Sequence, residues 1–218
     1  MENHNSNRNI LVFGATGATG FQIAKQLLES GSIVTVVVRN PSTFLLSHKN
    51  LIIIKGDVMN SNTFSESIKN QDVIISALGT GTSLKPTKVY SQGVDNIMIE
   101  MKRQDKSRLL CISAGGLEVN PTMNLFMRFL VKNILQRILK HPYADMRIME
   151  SEVKSSSLDY TIIRPPRLTN QELTGKYRTE INSNLKKASK IGRADLANGI
   201  IKLIDNKQSY KAIIEIAY

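Results

Sequence analysis

The stretch that decides the fold is Asn9-Ile-Leu-Val-Phe-Gly-Ala-Thr-Gly-Ala-Thr-Gly20. Its apolar residues 10–13 predict a buried strand, and glycines follow at positions 14, 17 and 20. From Phe21 to Leu28, apolar residues recur at spacings of three and four, which predicts a helix that ends at Gly31. A strand, a glycine-rich turn and a helix N-terminus present free backbone N–H groups and a positive dipole end to a pyrophosphate. The sequence therefore predicts a dinucleotide-binding site.

Each glycine of this loop has its own reason. We expect Gly14 to allow the tight turn, Gly17 to let the phosphate approach the backbone, and Gly20 to let the helix lie close to the sheet. A strand–turn–helix joint without a ligand is the alternative, but the context favours a cofactor site. The predicted cofactor contacts in the loop are Gly14, Thr16, Gly17, Ala18, Thr19 and Gly20.

The second predicted strand indicates which dinucleotide is bound. It covers Ile33–Val38 and ends in Arg39, about twenty residues beyond the last glycine. A carboxylate at this position selects NAD, whereas an arginine pairs with the 2′-phosphate of NADP. Ser42 is predicted to cap the next turn and to bond the same phosphate. A solvated arginine that closes the strand is the alternative, and NADP (NADPH) is the predicted cofactor.

Strands and helices alternate along the rest of the chain. The further predicted strands are Leu51–Lys55, 72–76, 109–112, 160–164 and Ala212–Ala217, and the helices are 61–69, 86–106, 121–140, 142–157 and 194–205. Continuous Val/Ile runs between helices predict a parallel sheet covered on both faces. We therefore expect a single doubly wound, Rossmann-type α/β domain over residues 9–218, preceded by a flexible polar leader at residues 1–8.

Ligands of such sheets lie outside the carboxyl ends of the strands. Asp57 is predicted to reach the adenine amino group and Val58 to pack on the adenine ring; ordinary turn chemistry is the alternative. The remaining candidates at strand ends are Ala77, Leu78, Gly79, Thr80, Ser113, Pro165 and Arg167.

Composition excludes several classes of protein. The chain has 218 residues, which suits one domain with a large core. No apolar run reaches the roughly eighteen residues that a transmembrane helix needs. The single cysteine, Cys111, lies in an apolar run and is expected to be buried and inert. We expect no metal site and a cytoplasmic protein.

The net charge of +11 is unevenly distributed, because residues 85–218 carry a net +10 and residues 1–84 only +1. Binding to nucleic acid or to an acidic membrane is one interpretation. The other is a solvated basic face that attracts an anionic cofactor and substrate, and it is favoured because no nucleic-acid motif is present. We expect no nucleic-acid partner.

The chain resembles the atypical short-chain dehydrogenase/reductase family, which includes flavin reductase (biliverdin reductase B) and bacterial NAD(P)H-binding members, and more distantly NmrA-like proteins. The matching segments span nearly the whole chain: Gly14–Gly20, Val38-Arg39, Gly56-Asp57-Val58, Gln71-Asp72-Val73, Leu78-Gly-Thr80, Ser91-Gln-Gly93, Asn96-Ile97, Leu158-Asp-Tyr160, Arg164-Pro-Pro-Arg167, Leu173-Thr-Gly-Lys-Tyr177 and Arg193-Ala-Asp-Leu196.

This resemblance implies an NADP-dependent reductase of planar, electron-poor substrates such as flavins. It places Ser113 near the nicotinamide, where its hydroxyl would position a substrate or relay a proton. The flavin reductase carries a histidine where this chain has Arg167. Its basic residue soon after the 2′-phosphate arginine is also missing here, and Thr43 or Phe44 stands near that position. Arginine stays protonated at neutral pH, so Arg167 would bind an anionic substrate rather than donate a proton. Flavin is therefore expected over biliverdin; the alternative is an NmrA-like NADP sensor without turnover.

Tyr143 and Arg147 have the spacing of the tyrosine–lysine pair of standard short-chain dehydrogenases. The alternative is structural, with Asp145, Arg147 and Glu150 paired by charge near the start of a helix. Because flavin N5 accepts hydride without an obligatory protein acid, positioning alone can suffice.

Residues 121–140 combine a broad apolar face with Arg128, Lys132, Arg137 and Lys140. Three roles are open: a core or pocket-lid helix, which is favoured, an oligomer surface, and a membrane surface.

Overall fold

The computed structural model describes residues 8–218, so the predicted leader lies outside it except for Arg8. Ten β-strands are present in this part of the chain. In chain order they are β1 Asn9–Phe13, β2 Ile33–Val38, β3 Leu51–Lys55, β4 Val73–Ser76, β5 Arg108–Ile112, β6 Asp159–Arg164, β7 Arg167–Thr169, β8 Arg178–Ile181, β9 Lys190–Gly192 and β10 Ala212–Ala217.

The helices separate these strands. They are α1 Ala18–Glu29, α2 Ser65–Ile68, α3 Ser91–Arg103, α4 Leu125–Leu130, a π-helical turn at Val131–Leu135, α5 Gln136–Ile138, α6 Lys140–Ser155 and α7 Arg193–Leu203. Within the described residues, no helix is both long enough and apolar enough to cross a membrane.

Eight strands form the main sheet in the order β3-β2-β1-β4-β5-β6-β10-β8, and β7 pairs with β9 apart from it. All neighbours in the main sheet are parallel except β10 and β8, which are antiparallel. The chain leaves β1 toward β2 on one side and returns to β4 on the other, so the direction of winding reverses between β1 and β4. The predicted Rossmann-type α/β class is confirmed, and this reversal marks the crevice where such sheets hold ligands.

Helices cover both faces of the sheet, which explains why residues 10–13 of β1 are all apolar. Ile10 and Val12 belong to the cluster that packs against α1 and α7, whereas Leu11 and Phe13 belong to the cluster that packs against α2, α3 and α6. Successive side chains of a strand point to opposite faces, so burial on both faces demands apolar residues at every position.

Coverage fails at one edge of the sheet, contrary to the prediction. Only a 3₁₀ turn, Pro41–Thr43, lies between β2 and β3, and it leaves Ile52 and Ile53 exposed on the edge strand. Helix α3 begins five residues later than predicted, because the Asp145 carboxylate accepts hydrogen bonds from the N–H groups of Tyr90 and Ser91 and fixes the start there.

The short strands β7, β8 and β9 were not predicted. Each has only three or four residues, and every residue of β8 is exposed, so neither length nor alternation distinguishes them from loops.

Candidate functional site

The glycine loop between β1 and α1 is shaped by close backbone contacts. Gly14 has φ +76°, and a Cβ there would lie 2.3 Å from the Ala77 carbonyl oxygen of the loop after β4. A Cβ on Gly20 would lie 2.3 Å from the Gly14 carbonyl oxygen. Gly14 therefore allows both the turn and the close approach of β4, while Gly20 packs against the loop itself.

Gly17 differs from these two glycines. It has ordinary extended backbone (φ −75°), and a Cβ there would meet only the Gly14 carbonyl oxygen, at 3.3 Å. The protein's own packing thus gives little reason for a glycine here, whereas an approaching ligand does.

The N-terminus of α1 is open to an anion. Gly17, the residue before the helix, supplies no side-chain cap, and the first turn contains no acidic residue. Thr16, Gly17 and Ala18 are exposed, and Thr19 is half-buried. The unpaired N–H groups of the first turn and the helix dipole therefore face the position of the predicted pyrophosphate.

Arg39 follows β2 at the same edge of the sheet. Its side chain is exposed and has no hydrogen bond or ion pair with any described residue. Ser42 does not cap the turn, contrary to the prediction, because its hydroxyl donates to Asn40 Oδ1 at 2.8 Å. Arg39 is thus a cation available to a ligand, and Ser42 is exposed beside it.

Asp57 and Val58 follow the neighbouring strand β3. The Gly56 N–H donates to the Val38 carbonyl at 3.0 Å, which holds this loop beside Arg39. Asp57 Oδ1 accepts from the Met59 N–H at 3.0 Å, so part of the carboxylate serves its own turn. Val58 is buried, and its carbonyl accepts from the Asn96 amide at 2.9 Å.

The loop after β4 lies against the glycine loop. The Ala77 N–H donates to the Phe13 carbonyl, and Leu78 packs on the core beneath. The Thr80 N–H points to the Tyr90 hydroxyl at 3.3 Å, and a Cβ on Gly79 would lie 4.0 Å from that hydroxyl. Residues 77–80 thus form the second wall of the crevice.

Ser113 belongs to a buried charged network that the sequence did not predict. Its hydroxyl donates to Glu150 Oε1 at 2.6 Å, and Arg164 donates to both oxygens of the same carboxylate at 2.8 and 2.5 Å. Arg164 also bonds the exposed Glu118 at 2.9 Å, and Lys154 lies 3.4 Å from Glu150. All three of Ser113, Glu150 and Arg164 are buried. We call these three residues the Glu150 network.

Charge pairing dominates the Glu150 network. Burial raises the pKa of Glu150, but hydrogen bonds from Arg164 and Ser113 and the nearby cations lower it by a larger amount. The pKa of Glu150 therefore lies below its ordinary value. Burial lowers the pKa of Arg164, but Glu150 and Glu118 raise it above its ordinary value. The carboxylate is therefore ionised, and the Ser113 proton is directed at it rather than at the crevice. Cys111, as expected, is buried, and burial raises the pKa of its thiol.

Pro165 and Arg167 follow β6 beside Ser113. The Ser113 N–H donates to the Ile163 carbonyl at 2.7 Å, and the Gly115 N–H donates to the Pro165 carbonyl at 2.8 Å. Pro165 is buried, whereas Arg167 is exposed and unpaired within the described chain. The ends of β5 and β6 thus bring Ser113 and Pro165 together, with the free cation two residues further on.

Tyr143 is buried at the first part of α6. A Cβ on Gly116 would lie 2.5 Å from its hydroxyl, which places that hydroxyl against the loop after β5. Burial raises the pKa of Tyr143, the charge of Arg147 lowers it and Tyr90 raises it, with a net increase. A raised pKa is the opposite of what an activated tyrosine needs.

The predicted charge pairing of Asp145, Arg147 and Glu150 is wrong. Asp145 caps α3, and Arg147 donates to the Leu117 carbonyl at 2.8 Å. Glu150 instead accepts a hydrogen bond from Arg164 at the end of β6. Each polar group is used by a different element, which spacing along one helix cannot reveal.

A cavity of about 370 Å³ adjoins the glycine loop, and an arginine that lines it was not predicted as a site residue. Arg193, at the first position of α7, lines it together with Thr16 and Ala18. Arg193 donates to Asn170 Oδ1 at 2.6 Å, which orients the guanidinium. The sequence contains the motif Arg193-Ala-Asp-Leu196, but only the contact between α1 and α7 shows where Arg193 lies.

Asp195 of the same motif has a structural role. Its buried carboxylate accepts from the N–H and hydroxyl of Thr174, the N–H of Gly175 and the Tyr218 hydroxyl, at 2.7 to 3.0 Å. Burial raises the pKa of Asp195, but these hydrogen bonds lower it to below its ordinary value. The Leu-Thr-Gly and Ala-Asp-Leu segments of the sequence therefore contact each other, because Asp195 of the second binds Thr174 and Gly175 of the first.

Comparison with known proteins identifies a family and several relatives. Residues 14–207 match the family model described as NAD(P)H-binding. An uncharacterized chloroplastic protein of Arabidopsis thaliana is 26% identical over 99% of this chain and 78% of its own length. Averufin oxidase of Emericella nidulans is 25% identical over 72% of this chain, and the match covers 61% of that protein. A short-chain dehydrogenase/reductase from Veillonella parvula, solved with NADP, has a TM-score of 0.76 over 97% of this chain and 94% of its own, at 17% identity; at that identity the likeness concerns the fold.

Proposed function

We propose, from the premise that the chain belongs to the NAD(P)H-binding family, that it is an NADPH-dependent oxidoreductase acting on a planar, anionic electron acceptor such as a flavin. Its fold is that of NAD(P)-binding oxidoreductases, and one relative, from Emericella nidulans, is named as an oxidase. The observation that carries the choice of cofactor is Arg39, an exposed cation at the end of β2 that pairs with no residue of the described part of the chain and follows the strand next to β1, whose loop leads to the open N-terminus of α1.

The residues at the crevice suit each part of NADPH. The N-terminus of α1 would take the pyrophosphate, Arg39 the 2′-phosphate, and the surroundings of Asp57 and Val58 the adenine. Arg193 offers a second cation beside the pyrophosphate loop. When bound, the nicotinamide supplies hydride.

The substrate end favours an acceptor that needs no acid from the protein. The Ser113 proton is directed at Glu150, Tyr143 is buried with a raised pKa, and Arg167 carries a permanent charge. Ser113 would accept a hydrogen bond and hold one edge of the substrate, while Arg167 would bind its anionic group. A flavin fits these conditions better than a simple ketone.

The lack of an obvious acid also favours a second candidate, an NADP-binding sensor without turnover. Both candidates bind NADPH, so the discriminating measurement is oxidation of NADPH in the presence of FMN, FAD or quinones. Cofactor binding without oxidation of NADPH by any acceptor would favour the sensor.

Arg39→Ala is expected to remove the preference for NADPH over NADH. A charge-assisted contact to the 2′-phosphate is worth roughly 1.5–3 kcal/mol, or about 10- to 150-fold in affinity. Calorimetric titration of the unmodified protein should show this preference, and the variant should lose most of it with NADH affinity nearly unchanged.

Two variants serve as controls for that measurement. Lys49→Ala removes an exposed cation before β3 and should change neither affinity. Arg193→Ala should weaken NADPH and NADH alike, because both cofactors share the pyrophosphate. Equal affinities for the two cofactors in the unmodified protein would refute the assignment of Arg39.

Arg167→Ala is expected to raise the KM for FMN more than it lowers kcat, since it removes binding that the ground and transition states share. Ser113→Ala should chiefly lower kcat, and only modestly, while Tyr143→Phe should do little. Steady-state kinetics with NADPH and FMN measure all three variants. Loss of turnover in Tyr143→Phe with NADPH binding intact would instead indicate a standard carbonyl reductase mechanism.

A further inference from the structure

The helical segment 125–138, which we call the apolar ridge, exposes large apolar side chains. It comprises α4, the π-helical turn and α5, and it begins where Asn124 Oδ1 caps the Met127 N–H at 2.8 Å. The exposed apolar residues are Leu125, Phe126, Met127, Phe129, Ile134, Leu135 and Ile138, with Leu125 81% and Phe126 68% exposed. A buried core helix is therefore excluded for this segment, whereas the pocket-lid role stays a prediction. Contiguous apolar exposure of this kind marks an interaction surface.

The ridge is attached to the protein at few points. Val131 is its buried residue, and Gln136 donates to the carbonyls of Gly116 and Leu117 at 3.1 Å. The first turn projects Leu125, Phe126 and Phe129, and the spacing of three and four places these side chains side by side.

The charges of the ridge are all of one sign. The ridge carries Arg128, Lys132 and Arg137, and Lys140 follows it at the start of α6; all four are exposed and form no ion pair with any described residue. No Asp or Glu occurs anywhere in residues 119–144. Cations and apolar groups are thus interspersed without compensating acid on the segment itself.

This charge decides between the candidate occupants. A second copy packed about a two-fold axis would bring the three cations of the ridge against the same three cations. A surface of anionic lipid headgroups complements both features, because the apolar side chains enter the acyl boundary while Lys and Arg reach the phosphates. We propose that the apolar ridge docks the protein on anionic lipid bilayers, a property that goes beyond the proposed reaction and does not depend on it.

Sedimentation with vesicles tests the proposal on the full chain. The protein is expected to pellet with vesicles containing phosphatidylglycerol, to remain in the supernatant with pure phosphatidylcholine, and to be released by high salt. Because each basic residue near the surface contributes about fivefold, Arg128→Glu/Lys132→Glu should weaken binding at least about 25-fold. Phe126→Ser/Phe129→Ser should weaken it by about tenfold or more for each ring.

Matched controls separate the ridge from general charge. Lys49→Glu/Lys69→Glu changes the net charge equally at exposed sites elsewhere and should bind as the unmodified protein does. NADPH binding, retained in every variant, shows that each is folded.

A fluorescent probe locates the contact. The chain contains no tryptophan, so Phe126→Trp introduces a single indole on the ridge. Its emission is expected to shift to the blue on anionic vesicles and to be quenched by brominated lipid. Leu45→Trp, at an apolar position that is 88% exposed, should show neither effect.

Three results would overturn the proposal. The first is absence of binding to anionic vesicles, and the second is binding that the Lys49→Glu/Lys69→Glu control reduces as much as the ridge variant does. The third is a concentration-dependent blue shift of Phe126→Trp without vesicles together with a dimer mass by light scattering, which would assign the ridge to a second copy.

Discussion

Glu150→Gln is expected to destabilise the fold by about 3 kcal/mol, because it removes the buried carboxylate that pairs with the buried Arg164 guanidinium and leaves only the exposed Glu118. Glutamine has nearly the same shape, so the loss reports the charge rather than a cavity. Urea denaturation at neutral pH measures it. Glu118→Gln removes the exposed carboxylate bonded to the same Arg164, and it should cost no more than about 1 kcal/mol.

The deficit of Glu150→Gln should also depend on pH. The pKa of Glu150 is lower in the folded protein than in the unfolded chain, so its charge contributes stability at pH values above the ordinary glutamate pKa of about 4.3. That contribution disappears as the pH falls through the folded pKa, and the gap between the two proteins should narrow there. A small deficit of equal size in both variants would show that the Glu150 network does not hold the ends of β5 and β6.

Gly17→Val is expected to weaken the affinity for NADPH by more than about 100-fold, because the added side chain occupies the approach to the N–H groups of α1. The fold should tolerate the change better than a substitution at Gly14 or Gly20. A Cβ at position 17 meets one atom at 3.3 Å, whereas at positions 14 and 20 it would lie 2.3 Å from a carbonyl oxygen.

Calorimetry and thermal melting separate these two effects. Lys207→Ala, a surface change far from the loop, is the control and should bind normally. A folded Gly17→Val protein that still binds NADPH would contradict the proposed cofactor site.

The main sheet could be predicted because its signals are local. The strands Ile33–Val38 and Ala212–Ala217 have the predicted bounds, and in Ile33–Val38 burial on both faces accounts for the almost continuous apolar run. Helix α3 could not be bounded from its sequence, because the carboxylate that fixes its start comes from Asp145, 55 residues from Tyr90 in sequence.

The Glu150 network was missed although two signals were present. Arg164 ends a buried strand, and a buried guanidinium requires a partner. Glu150 lies at helical spacing from Met146 and Val153, which face the core, so its carboxylate had to enter the same face. Charge pairing along the helix was a simpler interpretation, and only the tertiary contact between α6 and β6 excludes it.

Helix α6 holds several elements that border the crevice. Through Asp145 it holds the start of α3, and through Glu150 it holds Ser113 and Arg164 at the ends of β5 and β6. The same helix follows the apolar ridge directly in the chain, with only Leu139 between α5 and α6. A rotation of α6 would displace these holding points together. Any such coupling must be reciprocal, so lipid contact that tightened cofactor binding would oblige bound cofactor to tighten lipid contact by the same factor.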